Sequence, residues 1–396
     1  MRKSLKKFVS FGLVAGMLVA SLTGCGTKDT SDNTPTTAPA TGSDANSGET
    51  KVFKIGGIGP LTGGAASYGV SVQNGAQIAI DEINAAGGVK VGDATYTLEM
   101  NFVDDEASPD KALTAYNTVM DWGAQAILGT VTSGACLAIT SSTYEDGILQ
   151  ITPSGSALEI TEYDNIFRLC FTDPFQGVTI ANLAKELGYT KIAIIYNNSD
   201  DYSTGVMEAF TKQAQANGAS IVATESFVTD ANDFNTQLTK IKATDAEVIF
   251  VPAYYNDAAY ITAQATALGM DLPFLGSDGW DGVIAQSSDP SALEGAIFLS
   301  PFLATDENPA IQTFVNEYKT KFNATPDQFA ADGYDTVYVF KAAMEQAASV
   351  ESEAMIAAMT QITVDGLTGS ITFSADGEPN KGAKYVVIQD GQYVAK

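Results

Sequence analysis

From Lys51 onward, short apolar runs alternate with stretches whose apolar positions recur every three or four residues. "VFKIGGIG" predicts a strand, and Val70 to Ala85 predicts a helix with Val72, Ala76, Ala79, Ile80 and Ile83 on one face. "TYTLEMNFV", "AQAILG" and "ILQIT" predict further strands, with helices from Pro109 and after Gly134 between them. A second series begins near Thr190, with strands in "KIAIIY", "SIVATESF", "AEVIFVP" and "PFLGSDGW". Its helices lie in "STGVMEAFTKQAQANG", "FNTQLTKIKAT" and "DAAYITAQATALG". Asn308 and Pro309 predict a helix start, with Asn as N-cap and Pro in the first turn. The last stretch, "GSITFSADGEPNKGAKYVVIQDGQYVAK", reads as β-rich. Alternation of this kind indicates βαβ units and parallel sheets covered by helices, an α/β fold.

The two series echo each other. Each runs strand, polar loop, tyrosine, helix, which puts Tyr68 and Tyr202 in matching places beyond a strand's carboxyl end. Open α/β sheets bind ligands there. Two such edges facing each other would make a cleft with one tyrosine on each wall, although two unrelated surface tyrosines fit the spacing equally well.

At 396 residues the chain exceeds what one core usually serves, so two domains are expected. The first residues are of another kind. Arg2, Lys3, Lys6 and Lys7 precede an apolar run from Phe8 to Ala20 that is too short to span a bilayer, which reads as an export signal over 1–24. Leu22-Thr23-Gly24-Cys25 resembles the lipobox of bacterial lipoproteins, which implies lipidation at Cys25. Residues 25–50 are rich in Thr, Ser, Asp, Gly and Pro without apolar periodicity, as in a flexible tether. Removing the four basic residues of the signal from 21 leaves 17 against 47 acids, a net charge of −30. Such a surface repels nucleic acid and has no general attraction to anionic lipid, so the lipid must be the anchor.

The chain has no histidine, which removes Ser-His-Asp and Cys-His catalysis and the commonest zinc ligand. Carboxylate or lysine chemistry stays open. Cys136 and Cys170 are either one disulfide or, more simply, two buried thiols. "IGGIGPLTGG" fails as a dinucleotide loop: Gly57 and Gly59 fit G-x-G-x-x-G, but its third place falls on Thr62, and Pro60 lacks a donor. "VDDEASPD" lacks the EF-hand spacing and reads as a solvated helix entry, so no metal or cofactor is expected.

Several strand ends carry groups suited to a small zwitterion. In "ILGTVTSGACLA", Ser133 can N-cap a helix whose free N–H groups would hold a carboxylate, though an ordinary cap explains it too. "ILQITPSGSALE" brings Ser154 and Ser156, whose hydroxyls donate or accept. "FLGSDGWDG" brings Asp278, able to pair with an ammonium, beside Trp280 as an apolar or cation–π wall. "VPAYYNDAAY" adds Tyr254 and Tyr255.

These stretches, with "NGAQIAIDEINAAGGV", "FR" followed by "DPFQG", and "DDYSTG", run in order from Lys51 to the end. Together they resemble the leucine/isoleucine/valine-binding family of ABC-transporter solute-binding proteins, of the type I periplasmic-binding-protein fold. The resemblance implies two doubly wound lobes, 51–171 plus 303–381 and 172–302 plus 382–396, with crossovers near Thr172, Phe302 and Gly382. It implies a loop over residues 59 to 68 that brings Tyr68 to the cleft. It also implies α-carboxylate contact at Ser133, carboxylate and ammonium contacts at Ser154 and Ser156, and aromatic contacts at Tyr202 and Tyr255. Asp278 stands where relatives often have Glu, as ammonium partner. The expected protein is therefore a monomeric, non-enzymatic lipoprotein that binds an amino acid, branched-chain or otherwise hydrophobic, and delivers it to an ABC permease. Alternatives are a sensor signalling to a membrane partner, and a binder of aromatic acids, amides or small peptides.

Overall fold

The computed structural model describes residues 50–396; the signal, Cys25 and nearly all of the tether lie outside the described residues. Six strands form the first sheet: β1 (Thr50–Gly59), β2 (Val89–Val91), β3 (Ala94–Asp104), β4 (Ala126–Gly129), β5 (Leu149–Thr152) and β6 (Ile166–Arg168). Their order is β2-β3-β1-β4-β5-β6, parallel except for the β2 edge. Three helices connect them: α1 (Ala66–Ala85), α2 (Pro109–Trp122) and α3 (Ser133–Asp146).

The chain then builds a second sheet. After α4 (Asp173–Glu186) come β7 (Lys191–Asn197), α5 (Asp201–Ala216), β8 (Ser220–Phe227), α6 (Asn235–Lys242), β9 (Val248–Val251), α7 (Tyr255–Ala267), β10 (Phe274–Gly276), α8 (Val283–Gln286) and β11 (Ile297–Ser300). It returns to the first sheet with α9 (Pro309–Phe322), α10 (Gln328–Ala347), α11 (Ser352–Ala358) and the small hairpin β12 (Val364–Gly366) and β13 (Gly369–Ile371). β14 (Lys384–Gln389) and β15 (Gln392–Ala395) close the second sheet as antiparallel edge strands, giving the order β15-β14-β11-β10-β9-β7-β8. The chain thus passes between the two sheets three times.

Both sheets are covered on both faces, and central strands such as β4 and β9 are apolar at every position. In β4, Ala126 and Leu128 face the α1 and α10 layer, while Ile127 packs with α2 and α3. In β7, Ala193 and Ile195 face the α6 and α7 side, while Ile192 and Ile194 pack with α4 and α5. Such unbroken apolar runs are the mark of buried parallel strands. Each fully buried Ile or Leu contributes about 1.5–3 kcal/mol. The α1 and α10 helices meet through glycine. A Cβ on Gly75 would lie 1.8 Å from the Ala330 carbonyl oxygen, and one on Gly333 would lie 2.3 Å from that of Val72.

Two expectations change, and the simpler reading of the cysteines holds. α1 begins at Ala66, so Tyr68 lies in a helix's first turn and not in a loop. Helices α4, α8, α10 and α11 and strands β2, β6, β11 and β12 were not anticipated from periodicity. Cys136 and Cys170 are both free and buried. The carboxylates of "VDDEASPD" hold their own turn, Asp104 accepting from the Glu106 N–H (2.9 Å) and Asp105 from that of Ala107 (2.9 Å), and Asp104 also fastens the loop after β1 through the Leu61 N–H (2.8 Å).

The third passage is fastened to the first lobe along much of its length. The Gly377 carbonyl accepts from the Arg168 N–H (3.1 Å), and Glu378 pairs with the Arg168 guanidinium (2.9 Å). Lys381 pairs with Asp332 on α10 (3.1 Å), and both side chains are buried.

Candidate functional site

Each sheet reverses its winding direction at one place, between β1 and β4 in the first and between β7 and β9 in the second. The carboxyl ends of strands at such switch points are where open α/β sheets bind ligands. The two sets of ends face each other across a buried cavity of about 10 Å³, which holds about one water molecule. From the first lobe it is lined by Tyr68, Thr132, Ser133, Ser154, Ser156 and Phe329; from the second, by Tyr202, Tyr254, Asp278 and Gly279.

The first wall is built of hydroxyls with assigned directions. Ser133 Oγ accepts from the backbone N–H groups of Ser156 and Ala157, both at 3.1 Å. With its lone pairs engaged, this hydroxyl is left to donate. Ser154 is the reverse: its Oγ donates to the Val131 carbonyl (2.7 Å), which leaves lone pairs to accept. Ser133 was expected to cap α3. Instead Thr132 holds the N-cap position, and no side chain caps the helix. Ser133 is the first helical residue, and its hydroxyl is turned to the 154–157 loop. The first-turn N–H groups of α3 therefore stay uncapped, with the partial positive charge of a helix N-terminus.

Arg168 fixes that loop from behind. Its buried guanidinium donates to the carbonyls of Gly155 (3.1 Å), Ala157 (2.9 Å) and Leu158 (3.2 Å).

The second wall carries the acid. Asp278 is 4% exposed and accepts from the Tyr202 hydroxyl at 2.7 Å. Its N–H donates to Gln176 Oε1 (3.0 Å), and its carbonyl accepts from Gln328 Nε2 across the lobes (2.7 Å). Burial pushes its pKa up to about 6, partly opposed by the Tyr202 and Gln176 hydrogen bonds. Burial also raises the Tyr202 phenol well above its ordinary value, so it stays a neutral donor.

Tyr68 bridges the walls. Its hydroxyl donates to the Gly279 carbonyl and accepts from the Tyr255 N–H (3.0 Å). Its ring packs on Phe329, with centroids 4.1 Å apart.

Six of the eight expected ligand residues line this cavity; Tyr255 and Trp280 do not. Tyr255 begins α7 and turns behind Tyr68, its hydroxyl accepting from the Ser67 N–H (3.3 Å). The preceding Tyr254, still extended, faces the cavity and stacks on Tyr202 at 5.1 Å. Trp280 is fully buried under the turn that presents Asp278. Its Nε1 donates to the Val251 carbonyl (2.8 Å), and its ring covers Gly276, where a Cβ would meet it at 2.5 Å. Reading the sequence missed Thr132 and Phe329 as cavity residues. Thr132 was beside a residue already singled out, whereas Phe329 comes from a helix that was not anticipated.

The profile of the periplasmic binding protein family matches residues 52–392. The chain belongs to this family. Among solved structures it resembles the branched-chain amino acid transporter substrate-binding protein LivJ of Streptococcus pneumoniae, in complex with isoleucine. Identity there is 32%, with a TM-score of 0.79, covering 87% of this chain and 100% of that one. The leucine-binding protein LivK of Thermotoga maritima is 28% identical with the same TM-score, covering 87% and 97%. The Leu/Ile/Val-binding protein homolog 3 of Brucella melitensis is 29% identical over 329 residues, 82% of this chain and 88% of that protein. The protein is therefore a solute-binding protein of the branched-chain amino acid ABC-transporter family, with the type I two-lobed fold. In this binding protein the facing strand ends supply a neutral wall of hydroxyls and uncapped N–H groups and a wall with one buried acid, a pair suited to opposite charges on one small solute.

Proposed function

We propose that this binding protein captures an amino acid as its zwitterion between the lobes and delivers it to an ABC permease. The carrying observation is the placement of Ser133 and the uncapped start of α3 opposite Asp278 in one buried cavity. Ser133 and the α3 N–H groups take the carboxylate; Asp278 and Ser154 Oγ take the ammonium. Tyr68, Tyr202, Tyr254 and Phe329 enclose the remainder of the solute, and the 32% identical isoleucine-bound relative supports a short, branched side chain.

The cavity is too small for an amino acid as it stands, so capture requires the lobes to part and close again. The lobes in this reading are 51–171 plus 303–381 and 172–302 plus 382–396. The protein works as a monomer without turning its solute over, held by lipid at Cys25 on the outer face of the membrane. Among the described residues no helix is long and apolar enough to cross a membrane. Cys25→Ala is expected to move the protein from the membrane fraction to the soluble fraction.

The test is a thermal-shift panel on the full chain that pairs each amino acid with its deaminated keto acid. A ligand at 100 times its Kd adds about 2.7 kcal/mol of stability. Stabilisation by an amino acid and not by its keto acid supports the assignment of Asp278. Stabilisation by acids lacking the amine overturns it.

A further inference from the structure

Arg168 is fully buried at the end of β6, behind the loop that carries Ser154 and Ser156. A buried charge is costly, and apolar side chains of similar volume often serve packing as well or better. Packing alone therefore does not account for it. All five of its N–H donors are engaged: Nε with Glu378 (3.0 Å), Nη1 with the carbonyls of Gly155 and Ala157, and Nη2 with the Leu158 carbonyl and Thr161 Oγ1 (3.3 Å). Three of the five grip one loop.

The effect of that grip follows from the planarity of the peptide. In a trans peptide the carbonyl and the N–H point in opposite directions from one rigid plane. The Gly155 carbonyl held by Arg168 shares its plane with the Ser156 N–H, and that N–H donates to Ser133 Oγ. The next plane is held in the same manner from the start of α4. Its Ser156 carbonyl accepts from the Asp173 N–H (3.0 Å), and its Ala157 N–H is the second donor to Ser133 Oγ. Hydrogen bonds in a chain also polarise one another, so a charged donor on the carbonyl strengthens the N–H opposite it and, through Ser133, the O–H beyond. One peptide and one hydroxyl thus separate the guanidinium from the place of the solute's carboxylate.

We propose that Arg168 is the positioning residue of the carboxylate subsite, holding Ser133 as a donor through the Gly155–Ser156 peptide. The inference rests on the amino-acid reading of the cavity and says what sets the polarity of its first wall. The rival is a plain structural role, in which Arg168 only ties the loop to Glu378 on the third passage. The two roles differ in their coupling. A residue that acts through Ser133 has nothing left to lose once the Ser133 hydroxyl is gone.

Titration calorimetry on the full chain with isoleucine decides it, through double-mutant cycles. Arg168→Lys keeps the charge and loses the planar fork, so a single ammonium must replace a grip on three carbonyls. Its isoleucine Kd is expected to rise about threefold, the loss of one net hydrogen bond and about that of Ser133→Ala. Combined with Ser133→Ala, it should add almost nothing, whereas independent losses would multiply to about ninefold. Combined with Asp278→Asn on the opposite wall, the losses should multiply. Arg168→Met with Glu378→Leu leaves neither charge unpaired and enters the same cycles as a second variant. Losses that multiply with Ser133→Ala overturn the inference in favour of the structural role and leave the amino-acid reading intact. An unchanged Kd in both Arg168 variants overturns it as well. A folded parent that does not bind isoleucine overturns the reading of the cavity, and this inference with it.

Discussion

The two walls of the cleft solve opposite problems with different materials. The first lobe presents neutral groups: Ser133 set to donate, Ser154 set to accept, and the uncapped turn of α3. Its positive potential comes from backbone dipoles, which do not titrate. The second lobe presents a single carboxyl, and burial holds its pKa near 6. One wall is therefore indifferent to pH and spreads its work over several groups. The other concentrates its work in one side chain whose charge depends on its surroundings.

That asymmetry is broken most severely at Asp278. Asp278→Asn removes the charge while keeping the shape, and amino-acid affinity should fall more than tenfold in titration calorimetry. Because ionising a buried acid costs free energy, the ligand-free variant should melt no lower than the parent at pH 7.5. An unchanged Kd would remove Asp278 from the site.

Acidification is the gentler form of the same experiment. With a pKa of about 6, Asp278 is about nine-tenths protonated at pH 5. Affinity at pH 5 should be about tenfold weaker than at pH 7.5, rising through pH 6 and levelling above 7. Stability of the ligand-free protein has the opposite sign. An acid whose folded pKa is raised binds more protons in the native state than in the unfolded one, so its protonation stabilises the fold. That stability is present at low pH and is lost between about 4 and 6 for Asp278. Asp105 and Asp332, both raised to about 7 by burial, add to the same slope. Melting temperature without ligand should therefore fall from pH 5 to pH 8, while affinity rises over the lower part of that range.

The bridge between the walls should matter less. Tyr68→Phe deletes a hydroxyl that joins Gly279 and Tyr255 to the first lobe. A hydrogen bond contributes about 0.5–1.5 kcal/mol net, so affinity should drop about two- to tenfold through loss of the closed form. Ser133→Ala should cost least, about threefold, since the α3 N–H groups remain. A complete loss in that variant would mean that the hydroxyl, and not the helix start, carries the carboxylate.

Much of this arrangement was legible before any coordinates. Unbroken apolar strands such as "VIFV" announce themselves, and polar residues just past their ends mark the cleft. What escaped the sequence had physical reasons. α10 contains Gly333, Asp332 and Asp335, which interrupt its apolar pattern and look like surface residues. They are buried because Asp332 meets Lys381, because Asp335 accepts from the N–H groups of Leu367 and Thr368, and because Gly333 lets α1 approach. Each of those partners is distant in sequence. The resemblance implied Tyr255, whereas here α7 begins at that residue and turns it behind Tyr68, leaving the extended Tyr254 to face the cavity. Trp280 drew notice by its size, yet Gly276 four residues before it made a place for the indole beneath the turn.

The fastening of the third passage has a mechanical consequence. Gly377, Glu378 and Lys381 are tied to the first lobe, and Lys384 already belongs to a strand of the second. Only Gly382 and Ala383 lie between the last tie and that strand, and a Cβ on Gly382 would meet nothing within 4 Å. When the lobes swing apart, this strap has four backbone torsions to twist, those of one glycine and one alanine. A pivot that short permits rotation and almost no sliding, so the strand ends that part on opening return to the same registration on closing.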